Sequence, residues 1–216
     1  ARIDAIFLLE GSPELSARRL EARDAVASLY STLGEDASAR LVVAGRSAQP
    51  PTAGSLRAIS DAVLAAPQAK DWRFDSGLRL AAGSLFDRSG RRVVVYVGTG
   101  SVSDGAIDGA SLSELASLLE NNDIALYAVL IGRGEPSPEL RFLVERSGGE
   151  TYRSDRPEGL SIIARRVREA RTGRYRLSYI ASADDGFGRS YLPFSVEVYL
   201  RDRSGKDESG FFAPLR

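Results

Sequence analysis

Three oxygen-bearing side chains, Glu10, Ser12 and Glu14, alternate directly after an apolar run in the stretch FLLEGSPEL near the start of the chain. Carboxylate and hydroxyl oxygens are the ligands that Mg²⁺ and Ca²⁺ prefer, so this spacing could hold a divalent cation. The same stretch also fits a helix start, because Ser12 can cap a helix and Pro13 suits its first position. Glu14 would then stabilise the positive end of the helix. The two interpretations imply different functions.

The helix interpretation is favoured by an internal repeat. The tetrapeptide SPEL occurs at residues 12–15 and again at residues 137–140. The second copy begins a predicted helix at a place where no site is expected. Helix initiation alone therefore explains Ser12 and Glu14 adequately.

The composition excludes several kinds of chemistry. The 216 residues include no cysteine and no histidine, which rules out disulfides, thiolate nucleophiles, Ser-His catalysis and zinc sites with nitrogen or sulfur ligands. The 29 basic residues balance the 29 acidic ones, which argues against non-specific binding to nucleic acid or to an anionic membrane. No apolar run approaches the roughly 20 residues of a membrane span, so we expect no membrane insertion within this segment.

Two features of the chain concern its origin. Every basic residue except Lys70 and Lys206 is arginine, which we interpret as genome composition first and interface chemistry second. The chain begins with Ala1 shortly before its first apolar strand, so we expect it to be a processed or excised piece of a longer protein.

Strands and helices alternate through residue 172. The apolar runs at residues 3–9, 41–44, 91–97 and 124–131 predict buried strands, and helical periodicity lies between them. One helix is predicted from Ser12 to Gly34, and another to open with a Ser111–Glu114 capping box. This alternation predicts an α/β fold, with a mostly parallel, Rossmann-like sheet of about six strands covered by helices on both faces.

The last 44 residues have a different pattern. Apolar residues alternate with polar ones around Tyr175 to Tyr179 and again from Phe194 to Leu200, which predicts an antiparallel hairpin or small meander. Because two strands alone are marginally stable, we expect residues 173–216 to dock on the 1–172 domain or on a neighbouring domain. The Asp184-Asp185-Gly186 sequence fits a hairpin turn better than a calcium loop.

Four stretches together resemble the von Willebrand factor type A (VWA) domain over residues 3–172. They are IFLLEGS at the first strand, LRLAAGSLF on the third helix, RRVVVYVGTG at the fourth strand and LRFLVERSGGETY near the end. The tail, from GRYRLSYIAS to SGFFAP, is similar to the extension of bacterial VWFA-related proteins, which are typically exported. The resemblance implies a VWA fold with a C-terminal antiparallel extension, in a bacterial extracytoplasmic protein.

The resemblance also implies where a metal would bind. In the family, an Asp-x-Ser-x-Ser pattern, a threonine before the third helix and an aspartate after the fourth strand form a metal-ion-dependent adhesion site (MIDAS). That site holds Mg²⁺ and leaves one coordination position for a partner's carboxylate. Here Glu10 stands at the first aspartate, Ser12 at the first serine and Glu14 at the second serine.

The remaining positions depart further from the family pattern. The threonine position falls on or near Trp72, with Asp75 close by, and the later aspartate position falls on Thr99. We therefore expect a degenerate site without metal. The alternative is a rebuilt Mg²⁺ or Ca²⁺ site from Glu10, Ser12, Glu14, Asp75 and Thr99.

Two further stretches could bind a ligand. The loop GTGSVSDG at residues 98–105 contains glycines, but it lacks the spacing and position of a dinucleotide-binding loop, so a glycine-rich turn is favoured. Trp72, Arg73 and Phe74 could be exposed interface anchors, or the two aromatic residues could pack over the start of the third helix. The arginines at 165, 166, 168 and 171 fit a solvated helix face.

The sequence thus predicts a non-catalytic interaction or scaffolding module of an exported bacterial protein. Its partner would be another protein or another domain of the same protein, and no cofactor or nucleic acid is expected. The predicted contact residues are Glu10, Glu14, Trp72, Arg73, Phe74 and Ser101. Two alternatives stay open, a metal-dependent adhesion domain with a rebuilt site and an α/β enzyme that uses carboxylates.

Overall fold

The computed structural model describes residues 2–34, 36–47, 49–102, 107, 109–169, 191–200 and 203–212. The chain divides into two compact units, Ala1–Thr172 and Gly173–Arg216. Within the described residues, no helix is long and apolar enough to cross a membrane.

The first unit alternates strands and helices along the chain. In order, its elements are β1 (Ile3–Glu10), α1 (Pro13–Ser16), α2 (Arg19–Leu33), β2 (Ala37–Ala44), β3 (Thr52–Ala53), α3 (Leu56–Leu64), α4 (Phe74–Gly83), β4 (Arg91–Gly98), α5 (Gly109–Asn121), β5 (Ile124–Leu130), α6 (Pro138–Arg146), β6 (Thr151–Arg153) and α7 (Pro157–Glu169).

Six strands form one sheet in the order β3-β2-β1-β4-β5-β6. All neighbouring pairs are parallel except β2 with β3, which confirms the predicted Rossmann-like sheet. The chain leaves β1 for β2 on one side and later returns to β4 on the other. The carboxyl ends of β1 and β4 therefore meet at the point where the strand order reverses, which is where open α/β sheets bind ligands.

Both faces of the sheet are covered by helices, and β1 is buried along its whole length. Ile3, Phe7 and Leu9 point into a core shared with α2, α3 and α7. Ile6 and Leu8 point into the opposite core, shared with α4, α5 and α6. Side chains alternate between the faces of a strand. Glu10 therefore follows Ile6 and Leu8 toward the second core.

Two helix predictions are corrected, one in its continuity and one in its start. The helix predicted from Ser12 to Gly34 is broken, because Arg18 leaves the helical region with φ −121° and ψ 25° and separates α1 from α2. The capping box at Ser111 is wrong, because α5 already begins at Gly109 and places Ser111 inside its first turn.

The second unit contains antiparallel strands, as predicted, but the described pair joins the second apolar run to the residues that follow it and not to the run around Tyr175. Strand β7 (Tyr191–Leu200) pairs with β8 (Arg203–Phe212), and Tyr191 lies opposite Phe212. The stretch RSGKDESG at residues 203–210, although rich in turn-forming residues, therefore belongs to β8. The predicted strand around Tyr175, the Asp184-Asp185-Gly186 turn and Arg171 lie outside the described residues.

Candidate functional site

The carboxylate of Glu10 lies at the carboxyl end of β1, beside the end of β4, and only 3% of the residue is exposed. Four donors contact its two oxygens. The Ser12 hydroxyl donates to Oε1 and the Tyr96 hydroxyl donates to Oε2. Thr99 donates its backbone N–H to Oε2 at 2.7 Å and its hydroxyl to Oε1 at 2.9 Å. We call Glu10, Ser12, Tyr96 and Thr99 together the Glu10 cluster.

Tyr96 is the member of the cluster that the sequence analysis missed. It is fully buried on β4, and its ring packs edge-to-face on Phe74, with centroids 5.6 Å apart. Burial raises the pKa of the Tyr96 phenol well above its usual range, and the charge and hydrogen bond of Glu10 raise it further. The phenol is therefore a neutral donor. The available signal was a hydroxyl-bearing side chain in the otherwise apolar run of β4; the register Leu8↔Tyr96, which only the structure gives, places it on the face of Glu10.

Ser12 has both of the roles considered for it. Its hydroxyl accepts from the backbone N–H of Leu15 at 3.0 Å, which confirms it as the cap of α1. The same hydroxyl donates to Glu10. Glu14, in the first turn of α1, is exposed to solvent and is not among the donors and acceptors of the cluster.

Asp75 is bound by an arginine and does not join the Glu10 cluster. Arg73 holds it through two hydrogen bonds, Nε to Oδ1 at 3.0 Å and Nη2 to Oδ2 at 2.8 Å. Burial is the largest single effect on the pKa of Asp75 and raises it, but the Arg73 hydrogen bond, a backbone hydrogen bond from Ser76 and nearby arginine charges together lower it below its usual value. Asp75 therefore stabilises the start of α4 together with Arg73.

The aromatic residues beside Arg73 are not exposed anchors. Trp72 is 7% exposed, Phe74 is fully buried, and both belong to the core under α4 and α5. The expectation that they contact a partner directly is corrected, because packing over the start of α4 uses both rings. Only Arg73, whose side chain is 46% exposed, reaches solvent from this stretch.

These residues do not fit a hard cation. A carboxylate offers about four lone-pair sites. Those of Glu10 already accept four donors, so a cation would have to displace these donors to bind the carboxylate. The position of the family threonine holds buried Trp72, and Asp75 is paired with Arg73. The cavity that borders Glu10 and Ser12 has a volume of about 10 Å³, which is room for roughly one water molecule. Across the described parts of the chain, no group of three acidic residues could hold a metal ion.

In the described part of the loop after β4, the N–H groups of Thr99 and Gly100 are already used within the cluster and are not offered to a phosphate. The Thr99 N–H binds Glu10, and the Gly100 N–H donates to the Tyr96 hydroxyl at 3.4 Å. A groove of about 760 Å³ lies elsewhere, between α6, β6 and α7, and its lining shares no residue with the cluster. Its Arg153 is bound to a loop carbonyl, that of Gly132, at 2.8 Å.

The sequence matches no model of a protein family and no curated protein sequence. Solved structures do match. A von Willebrand factor type A protein from Catenulispora acidiphila is 16% identical, with a TM-score of 0.61 over 76% of this chain and 41% of that one. This chain thus spans about two fifths of the Catenulispora chain.

Two other solved structures have a similar fold. An aerotolerance-related membrane protein from Bacteroides fragilis is 13% identical, with a TM-score of 0.59 over 78% of this chain and 100% of that chain. The proximal thread matrix protein 1 of the mussel byssus, in a structure with zinc in its MIDAS motif, is 15% identical, with a TM-score of 0.53 over 78% of this chain and 44% of that one. At these identities the similarity shows the fold alone.

Proposed function

We propose that this chain, which has the von Willebrand factor type A fold, is a non-catalytic protein-interaction module that binds its partner without a metal ion. One observation supports this most strongly. Glu10, Ser12 and Tyr96 are buried at the ligand edge of the sheet, Thr99 is half-buried, and the four residues are hydrogen-bonded to one another. A partner can therefore contact only the exposed residues around the Glu10 cluster.

The partner contacts Glu14, Arg73 and Ser101, which we call the loop face. All three are exposed, and each lies on a different connection at this edge of the sheet. The backbone N–H of Arg73 donates to the Gly45 carbonyl at 2.9 Å, which holds its loop against the end of β2. Glu10 supports the face from beneath without reaching the partner.

The closed cluster also supports a non-catalytic role. General acid–base or nucleophilic catalysis requires a polar side chain within hydrogen-bonding reach of a substrate. Glu10 and Tyr96 have the environment of catalytic groups, but they are almost completely buried and bind each other. A substrate would have to displace that hydrogen bond before either group could act.

The setting of the module belongs to the same proposal. We place it in an exported bacterial protein, where its partner is another protein or another domain of the same chain. The fold similarity to an aerotolerance-related membrane protein from Bacteroides fragilis supports this setting.

Calorimetric titration of the chain with Mg²⁺, Mn²⁺ and Ca²⁺ tests metal independence. We expect no saturable binding in the micromolar range and no change of the melting temperature with EDTA. Micromolar binding that disappears in the Glu10→Ala variant would support the rebuilt metal site instead.

Site-specific photocrosslinking in the full-length protein tests the loop face. A photoreactive residue at Ser101 or Glu14 should give one adduct of defined mass, unchanged by EDTA. The same residue at exposed Asp87, beyond the far end of α4, is the matched control and should give none. Equal adducts from Ser101 and Asp87 would contradict the proposed contact.

A further inference from the structure

We propose that the Glu10 cluster is an anion hole, with the opposite polarity to a cation site, and that its native occupant is the chain's own Glu10 carboxylate. The donor set would accept a carboxylate from another source if the Glu10 side chain were removed. This inference concerns the interior of the fold, and it does not depend on the partner proposed above.

The direction of the hydrogen bonds carries the argument. The Leu15 N–H donates to the Ser12 hydroxyl at 3.0 Å, and the Gly100 N–H donates to the Tyr96 hydroxyl at 3.4 Å. Each hydroxyl oxygen therefore accepts from the backbone, and its own proton is directed to Glu10. Hydrogen bonds that run in one direction polarise each other. Both chains of donors end on the carboxylate.

The Thr99 donors complete the hole from the other loop. Its N–H lies 2.7 Å from Oε2, and its hydroxyl lies 2.9 Å from Oε1 and 3.1 Å from Oε2. Backbone and hydroxyl donors around one buried carboxylate form strong, charge-assisted hydrogen bonds. A cation placed among these donors would have to turn three hydroxyl protons away and would still face the Thr99 N–H.

The length of the glutamate side chain explains how one residue joins both loops. Glu10 starts on β1, yet its oxygens contact Ser12 in the next loop and Thr99 after β4. An aspartate is one methylene shorter and would not reach both sets of donors from the same backbone position. Glu10 thus links the two loops as a bound cation would, but with a negative charge.

Chemical rescue of the Glu10→Ala variant tests whether the site binds an anion or a cation. The variant should melt on the order of 10 °C below the wild type, because four donors lose their acceptor. Sodium acetate at about 0.1 M should raise its melting temperature by several degrees relative to sodium chloride at equal ionic strength. Acetate should not change the wild type, and MgCl₂ should raise neither protein.

Either of two results would overturn the proposal. One is a folded Glu10→Ala variant that acetate does not stabilise. The other is stabilisation of the wild type or the variant by Mg²⁺ or Mn²⁺, because a cation then occupies the site.

A double-mutant cycle covers the case in which Glu10→Ala does not fold. Glu10→Gln and Thr99→Val nearly conserve volume, and each removes one part of the charge-assisted hydrogen bond. The double variant should lose clearly less free energy of unfolding in chemical denaturant than the sum of the two single losses. The reason is that each single variant removes the same interaction. Strict additivity would show that Thr99 and Glu10 do not interact as an anion and its donor.

Discussion

Gly98, the last residue of β4, lies directly against the carboxylate of Glu10. A Cβ atom at Gly98 would approach Glu10 Oε2 and the Tyr96 hydroxyl more closely than real Cβ atoms approach any neighbour. The absence of a side chain at Gly98 is therefore what leaves room for the carboxylate between β1 and β4.

Replacing Gly98 with alanine should destabilise the fold by at least about 2 kcal/mol, because the methyl group overpacks a buried, hydrogen-bonded site. Urea unfolding measures the loss. The matched control is Gly83→Ala at the end of α4, where an added Cβ atom meets nothing within 4 Å. That variant should be unchanged or more stable by up to about 1 kcal/mol. Equal stability of the two variants would contradict the packing described for Gly98.

The Tyr96 phenol should make the fold sensitive to alkali. Its pKa is raised in the folded protein by burial and then by Glu10, whereas in the unfolded chain tyrosine ionises near 10.0. The unfolded state therefore releases this proton first, so the stability that Tyr96 contributes is present below pH 10.0 and is lost as the pH rises above it. Melting temperatures between about pH 8 and pH 11 measure the decline.

The Tyr96→Phe variant separates Tyr96 from the other tyrosines. It keeps the ring packed against Phe74 but removes one donor to Glu10, so it should lose about 1–3 kcal/mol at neutral pH. Its stability should decline less steeply in alkali than that of the wild type. The decline should not vanish, because burial also raises the pKa of Tyr127 and Tyr152. An unchanged alkaline slope would show that Tyr96 ionises normally.

The Arg73–Asp75 pair should stabilise the fold at neutral pH and contribute less in acid. The pKa of Asp75 lies below its ordinary value of 3.8, so the unfolded chain takes up the proton first, and this stability is lost as the pH falls through the folded pKa. Arg73→Gln removes the main interaction that offsets the burial of Asp75. The difference between wild type and variant should stay below about 1 kcal/mol, because the arginine is half exposed.

Urea unfolding near neutral pH and in acid measures this difference, which should be larger at neutral pH. The Asp75→Asn variant is the control. In its background, Arg73→Gln should have the same small effect in both conditions. A difference between wild type and Arg73→Gln that grows in acid would contradict the lowered pKa of Asp75.

Arginine side chains bind backbone carbonyl groups at the ends of five helices. Arg168 does so for α2, Arg19 for α3, Arg40 for α4, Arg92 for α5 and Arg91 for α7. Helix C-terminal carbonyls carry partial negative charge, and the planar guanidinium can donate to two of them at once. Neither genome composition nor interface chemistry anticipates this use of arginine inside the fold.

The Arg19→Lys substitution should therefore cost about 1 kcal/mol, although it conserves charge. Arg19 donates Nη1 to the Leu64 carbonyl at 2.9 Å and Nη2 to the Ala66 carbonyl, and lysine cannot reproduce that fork. Arg57→Lys, on a side chain that is 92% exposed, should change stability by less than about 0.5 kcal/mol. Thermal unfolding compares the two variants. Equal losses of stability would mean that the paired hydrogen bonds of the Arg19 guanidinium add no stability beyond that of a single charge.

Ser12 and Trp72 differ in whether residues nearby in the chain determine their role. Ser12 caps α1 as predicted, because a cap depends on residues within one helical turn. The burial of Trp72 and Phe74 was left open, because it depends on how α4 packs on β1 and β2. A residue's own neighbours in the chain do not contain that information.

The sequence by itself determined the order of strands and helices, the parallel sheet and the edge at which its polar residues gather. Those features follow from apolar periodicity and helix caps, which are local. Only the tertiary structure decided what Glu10 does, because its donors Tyr96 and Thr99 are 86 and 89 residues away along the chain. A carboxylate beside a serine is compatible with a cation or with a ring of donors, and the packing of β4 against β1 selected the donors.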